Sequence, residues 1–181
     1  MATTKKSAAC LAEPLASETE GCPIAKAAQN EPPYRNILFV CTGNTCRSPM
    51  AAALLRHAFR DTPNVTVSSA GLAANEGEPI SEGAVLALED AEIPSTNKNN
   101  YKAHRAQNLT EEMMARATAV IPLTASHAMQ IFLRFPEYAS RIKPMPTDIS
   151  DPYMGSPEVY RHCLAELRVA LSLLFAGEVK L

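Results

Sequence analysis

The chain has no charge excess to speak of: 17 Lys and Arg stand against 19 Asp and Glu in 181 residues, a net charge of −2. Without a broad basic field, neither nucleic acid nor an anionic membrane surface is expected as a partner. No apolar stretch reaches the length of a membrane span. Lys5 and Lys6 are not followed by an apolar run of signal-peptide length, and Ser7-Ala8-Ala9-Cys10 lacks the greasy segment that precedes a lipid-attachment cysteine. Five cysteines at uneven spacing do not form a disulfide scaffold, which points to free thiols in a reducing, cytoplasmic compartment. Cys41 and Cys46 have no further Cys or His pair at ligand spacing, so no metal and no cofactor are expected.

Residues 1–34 are poor in large apolar groups and close on Glu31-Pro32-Pro33. That composition buries too little surface to offset its ordering entropy, which predicts a mobile N-terminal tail followed by one domain over 35–181. Within the domain, strand 35–41 precedes a helix with Ala51, Leu54, Leu55, Ala58 and Phe59 on one face. A second strand is expected at 65–68, then a helix from about Pro79 to Ala91 burying Ile80, Ala84, Leu88 and Ala91, and a polar loop over 97–100. Thr110 reads as a helix cap, with Leu109 and Met114 placed for a hydrophobic staple. Ala119-Val120-Ile121 reads as a strand that Pro122 ends, 125–135 as a short helix, and 141–143 as a last strand. Ser156-Pro157 opens the longest helix, with the stripe Tyr160, Cys163, Leu164, Leu167, Leu171 and Leu174, and Gly177 stops it. Strands alternating with helices at this spacing predict an α/β three-layer sandwich, a central parallel sheet of about four strands with helices on both faces.

The chemistry concentrates in Cys41-Thr42-Gly43-Asn44-Thr45-Cys46-Arg47-Ser48, between the apolar run Ile37-Leu38-Phe39-Val40 and Pro49. Ligands in such folds sit beyond the carboxyl ends of strands, where Cys41 falls. With Ser48 as N-cap and Pro49 as first helical residue, the loop ends at a helix N-terminus, where unpaired N–H groups favour an anion. Cys41 is the candidate nucleophile, since the loop donors, Arg47 and the Ser48 hydroxyl favour a thiolate. The planar fork of Arg47 suits two oxygens of a phosphoryl group. Asn44 tolerates the left-handed backbone of a loop curling round an anion, and equally suits a plain turn. A general acid has two sources, Asp151 ahead of Pro152 and Asp148 close by. His57 and His162 read as solvent-facing helix residues.

The C-x5-R-S loop after a strand resembles the phosphate loop of the low-molecular-weight protein tyrosine phosphatase family, and the likeness extends over most of residues 36–176. It implies a protein phosphatase that forms a cysteinyl-phosphate, with Cys41 as nucleophile, Arg47 as phosphate binder and Asp151 as general acid. It implies that Thr42, Gly43, Asn44, Thr45, Cys46 and Ser48 surround the phosphate, and that Ser69 and His104 support the loop with Asn44 and Ser48. His127 matches a family position but receives no role. Relatives commonly carry glutamate where Ala52 stands, which puts a local salt bridge in doubt, and Pro122-Leu123 replaces a more regular strand end.

Before the second loop cysteine, tyrosine phosphatases of the family usually have a bulky aliphatic residue and the protein arginine phosphatase branch has threonine. Here it is Thr45, whose hydroxyl can meet a polar guanidinium that isoleucine would repel. Tyr153 supplies an aromatic wall where that branch would favour phenylalanine, and it suits either substrate. The expectation is therefore a phosphoarginine protein phosphatase, with a tyrosine phosphatase as alternative, acting on phosphorylated proteins as a monomer or weak dimer. An arsenate reductase-like oxidoreductase would need more cysteines to pass a disulfide outward, and none lies between Cys46 and Cys163. Cys46, in the same loop as Cys41, is expected to pair with it on oxidation.

Overall fold

Asn36–Cys41 forms β1, an almost continuous apolar run because this strand is covered on both faces. Alternate side chains point to opposite sides. Ile37, Phe39 and Cys41 join a core with Leu54, Leu88 and Leu164, while Leu38 and Val40 join a second with Met114 and Ile131. The computed structural model describes Met1 and residues 34–176. The expected tail, apart from its two end residues, and the expected helix stop at Gly177 lie outside the described residues.

β1 is the central strand. It pairs in parallel with β2 (Thr66–Gly71), in the register Cys41↔Gly71, and with β3 (Ala119–Pro122), in the register Val40↔Pro122. On one face lie α1 (Arg47–Ala58), α2 (Glu82–Asp90) and α5 (Pro157–Leu174). On the other lie α3 (Glu111–Arg116) and α4 (Ala125–Arg134), which completes the three layers.

The sheet has three strands among the described residues, where about four were expected. The 141–143 segment makes one parallel bridge, Val120↔Ile142, with Lys143 N–H donating to the Val120 carbonyl at 2.8 Å. It leaves a 3₁₀ turn at Pro136–Arg141 and runs straight into Pro144, which has no N–H to extend a ladder. β2 runs on to Gly71 rather than stopping at Ser68, which carries Ser69 to the site.

Helix starts also differ from expectation. α1 begins at Arg47 with Cys46 as its cap residue, since Met50 N–H donates to the Cys46 carbonyl at 3.1 Å. Ser48 and Pro49 thus occupy the second and third helical positions. Proline fits there because amides of the first turn have no intrahelical partner, and Ser48 turns its hydroxyl toward the loop instead of capping. α2 begins at Glu82, not Pro79, because Pro79 is held in an antiparallel bridge with Arg105.

Other elements form where expected. Thr110 Oγ1 accepts from Met113 N–H at 3.3 Å, and Leu109 and Met114 are buried in one cluster. Pro122 is the last residue of β3. Tyr160, Cys163, Leu164, Leu167 and Leu171 are buried along α5. Ala52 is buried in the core of α1 rather than on a salt-bridging surface. In the 97–100 loop, Asn99 is buried and its Nδ2 donates to the Ala53 carbonyl at 3.0 Å, tying the loop to α1.

Candidate active site

At the carboxyl end of β1 the chain leaves the sheet at Cys41, curls through 42–46 and enters α1. The bend at Asn44 is left-handed, with φ 58°. β2 presses on this loop at Gly71, where a Cβ would stand 2.5 Å from the Thr42 carbonyl oxygen, so a side chain there would displace it.

Asn44 holds the loop by both its side chain and its backbone. Its buried Nδ2 donates to Ser48 Oγ at 2.9 Å and Ser69 Oγ at 3.0 Å, and its Oδ1 accepts from Gln107 N–H at 3.0 Å. The His104 ring reaches the Asn44 carbonyl at 2.8 Å through Nε2. A carbonyl only accepts, so Nε2 carries the proton. Burial pulls the His104 pKa below its ordinary value, against the opposing pull of this bond.

The Cys41 sulfur is buried at the floor, 3.3 Å from Asn44 N–H and 3.0 Å from Ser48 Oγ. Arg47 is buried, with Nη2 on Asp151 Oδ2 at 2.6 Å and Nη1 on the Ile149 carbonyl at 3.5 Å. The 148–153 segment is seated by the end of β3, since Leu123 N–H donates to Val40 and Ile149 N–H to Leu123, each at 3.0 Å. The Pro122-Leu123 departure therefore leaves that edge of the site built. Asp151 is half-exposed at 53%. Asp148, the competing acid, has its Oδ1 on Ala125 N–H at 2.7 Å, at the first residue of α4. Tyr153 stands 60% exposed, with its N–H donating to Asp151 Oδ1 at 3.3 Å.

These groups surround a cavity of about 250 Å³ lined by residues 41–47 together with Asp151 and Tyr153. Ser48, Ser69 and His104 lie behind the loop and do not line it. Thr45 is buried on the cavity wall, and its carbonyl accepts from Ser81 N–H at 3.0 Å. The Cys46 sulfur lies 3.3 Å from Ser81 Oγ and 3.5 Å from Tyr160 Oη. Burial, with Cys46 beside it, pushes the Tyr160 hydroxyl up to about 12.

Two features escaped the sequence reading. His127 braces the loop from α4, with Nε2 at 2.9 Å from Thr42 Oγ1 and Nδ1 at 2.8 Å from Thr124 Oγ1. Its pKa is lowered chiefly by burial and further by Arg47. Thr124 caps α4, a local signal that places His127 in the first turn but cannot say which loop it meets. Ala73, Asn75 and Glu78, from the turn beyond β2, also line the cavity.

The arrangement can hold a tetrahedral oxyanion against a sulfur nucleophile, beneath an arginine and beside a carboxyl group. Cys163, the next cysteine along the chain, is buried on α5 with its thiol pushed up to about 12, mainly by desolvation. It is a poor relay for a disulfide. Among the described residues no group of three His, Cys, Asp or Glu side chains could hold a metal ion, and no helix is long and apolar enough to cross a membrane.

The family described as "Low molecular weight phosphotyrosine protein phosphatase" matches residues 36–180. A protein-arginine-phosphatase of Geobacillus stearothermophilus is 42% identical over 149 residues, which cover 78% of this chain and 94% of that protein. A probable low molecular weight protein-tyrosine-phosphatase of Ralstonia solanacearum, EpsP, is 36% identical over 138 residues, covering 74% of this chain and 89% of that one. Among solved structures, a cysteine-to-serine mutant of the YwlE arginine phosphatase with a phosphorylated active-site serine superposes with a TM-score of 0.69 at 33% identity, covering 79% of this chain and 97% of that one.

Proposed function

The chain belongs to the low molecular weight phosphotyrosine protein phosphatase family, a cysteine-dependent hydrolase of phosphoproteins, and from that premise we propose that its substrate is phosphoarginine in proteins. The observation that carries this reading is Thr45, a hydroxyl-bearing residue of the 41–48 loop that lines the cavity where the phosphoryl group would sit. The 42% identity to a protein named as an arginine phosphatase supports it.

In this reading Cys41 attacks phosphorus as the thiolate, the S–P bond forms and the P–N bond breaks. Asp151 passes its proton to the departing guanidine nitrogen. Arg47, the N–H groups of 42–46 and the N-terminus of α1 hold the three equatorial oxygens as charge shifts across them. Ser48, held by Asn44, faces the sulfur and stabilises it both before attack and as it leaves. Water then attacks phosphorus, Asp151 takes its proton, the S–P bond breaks and phosphate departs. His104, Ser69 and His127 keep the loop in shape from behind.

Cys41, Cys46 and Cys163 are free thiols, which fits work in a reducing cytoplasm. A phosphotyrosine reading draws on the exposed Tyr153 ring beside the cavity, against which a phenol can stack. Turnover of one peptide sequence carrying either phosphoarginine or phosphotyrosine decides between them. A higher kcat/KM for phosphoarginine is expected, and the reverse order would replace this reading with the tyrosine one.

A further inference from the structure

Beyond β2 the chain turns at Gly77, where a φ of 82° is left-handed, and then sets Glu78 against the cavity. Glu78 N–H donates to the Asn75 carbonyl at 3.2 Å, and its own carbonyl accepts from Ala106 N–H at 2.7 Å. Pro79 follows, bridged to Arg105. With the backbone tied on both sides, the carboxylate is the polar group that Glu78 has left to offer. It is half-buried, and among the described residues no hydrogen bond or ion pair reaches it.

The charges around the cavity do not balance for a phosphoryl ligand. Arg47 is engaged by Asp151 at 2.6 Å, which leaves Glu78 as a second carboxylate without a cationic partner. Beside a site for a phosphoryl dianion, that carboxylate is unfavourable on its own, since like charges in a partly enclosed space repel. It becomes favourable when the ligand carries a positive charge next to its phosphoryl group.

We propose that Glu78 is a specificity-determining residue whose carboxylate accepts N–H bonds from the guanidinium of phosphoarginine while the 41–48 loop holds the phosphoryl group. This rests on the phosphoarginine reading and adds the group that recognises the cationic half of the substrate. A phosphorylated guanidinium keeps its positive charge and N–H donors on its unmodified nitrogens, and carboxylate–guanidinium bonds are charge-assisted. Thr45 offers a neutral hydroxyl and supplies no charge match. A phenyl ring offers neither donor nor charge, so the same carboxylate attracts one substrate and opposes the other. The signal in the sequence was only a glutamate after glycine in a turn; its place beside the cavity comes from the ties to Asn75 and Ala106.

The test compares the full-length wild type with Glu78→Gln and Glu78→Lys on one peptide sequence carrying phosphoarginine or phosphotyrosine. Glu78→Gln keeps size and backbone ties and removes only the charge. Its kcat/KM for phosphoarginine should fall roughly ten- to hundred-fold, as for loss of a hydrogen bond to a charged group, while that for phosphotyrosine holds or rises. Glu78→Lys should move both substrates further in the same directions. An equal change on both substrates, or no change on either, overturns the role of Glu78 and leaves the phosphoarginine reading standing. A wild type that does not turn over phosphoarginine overturns both.

Discussion

Arg47 Nη2 and Asp151 Oδ2 lie 2.6 Å apart, joining a buried guanidinium at the start of α1 to a half-exposed carboxylate on the segment ahead of α5. One cation thus serves two anions, the phosphoryl group it would bind and the carboxyl group that would act as acid. Asp151→Asn should lower kcat about 10²–10⁴-fold on substrates with poor leaving groups and less on an activated aryl phosphate, because the latter departs without a proton. Phosphate should inhibit this variant at least as well as the wild type, since the competing anion is gone. Asp148→Asn should weaken the hold on Ala125 N–H, costing about 0.5–1.5 kcal/mol of stability, with kcat near normal. A leaving-group effect in Asp148→Asn and not in Asp151→Asn would reverse the assignment.

Thr45→Ile should lose phosphoarginine activity and keep or gain phosphotyrosine activity. Isoleucine leaves substrate N–H groups unpaired, at about 1–3 kcal/mol each, while improving apolar contact with a phenyl ring. Thr45 and Glu78 are separate contacts, so the double variant checks whether the two losses on phosphoarginine add. Equal loss on both substrates in Thr45→Ile would mean damage to the loop.

Acid should destabilise the fold through His104 and His127. Burial lowers both pKa values from the ordinary 6.5, so the unfolded chain takes up protons first as pH falls. Stability from these two groups is complete above about pH 6.5 and is lost as pH drops through the unfolded value toward the folded ones. Thermal melts should show a Tm that falls on acidification below about pH 6.5, and His104→Gln should flatten that slope. A wild type that gains stability over the same descent would contradict this.

Mild peroxide should inactivate the enzyme reversibly through a Cys41–Cys46 disulfide. In the structure the Cys46 sulfur is turned to Ser81 and Tyr160, at 3.3 and 3.5 Å, so pairing requires the loop to release those contacts. Tyr160→Phe removes one of them and should speed disulfide formation. Peptide mapping reads the linkage, dithiothreitol should restore activity, and recoverable but unlinked Cys41 would remove Cys46 from the process.

The residues legible in advance were those whose neighbours in space are also neighbours in sequence. Cys41 to Ser48 form one turn between a strand and a helix, so spacing alone places sulfur, guanidinium and backbone donors together. Thr110 and Leu109 were legible because a cap and a staple are satisfied within six residues. Asp151 and Asp148 could not be separated locally; Ala125 N–H, 23 residues from Asp148, separates their surroundings. His127 and Glu78 were missed for the same reason, since Thr42 and the cavity reach them only through the packing of α4 and the turn after β2. The fourth strand was expected at 141–143, and the proline after Lys143 limited it to one bridge.

The span between Arg47 and Asp151 also orders events during synthesis. The loop with its thiol leaves the ribosome 104 residues before the carboxylate that pairs with its arginine. At ~5–20 residues per second, that is a delay on the order of 5–20 s. Throughout it the nascent chain carries Cys41 and Arg47 without Asp151, and without Tyr160 beneath the loop. In this interval Cys46 lacks the Tyr160 contact that later covers it. The emergence of α5 therefore sets Tyr160 under the loop soon after Asp151 becomes available to Arg47.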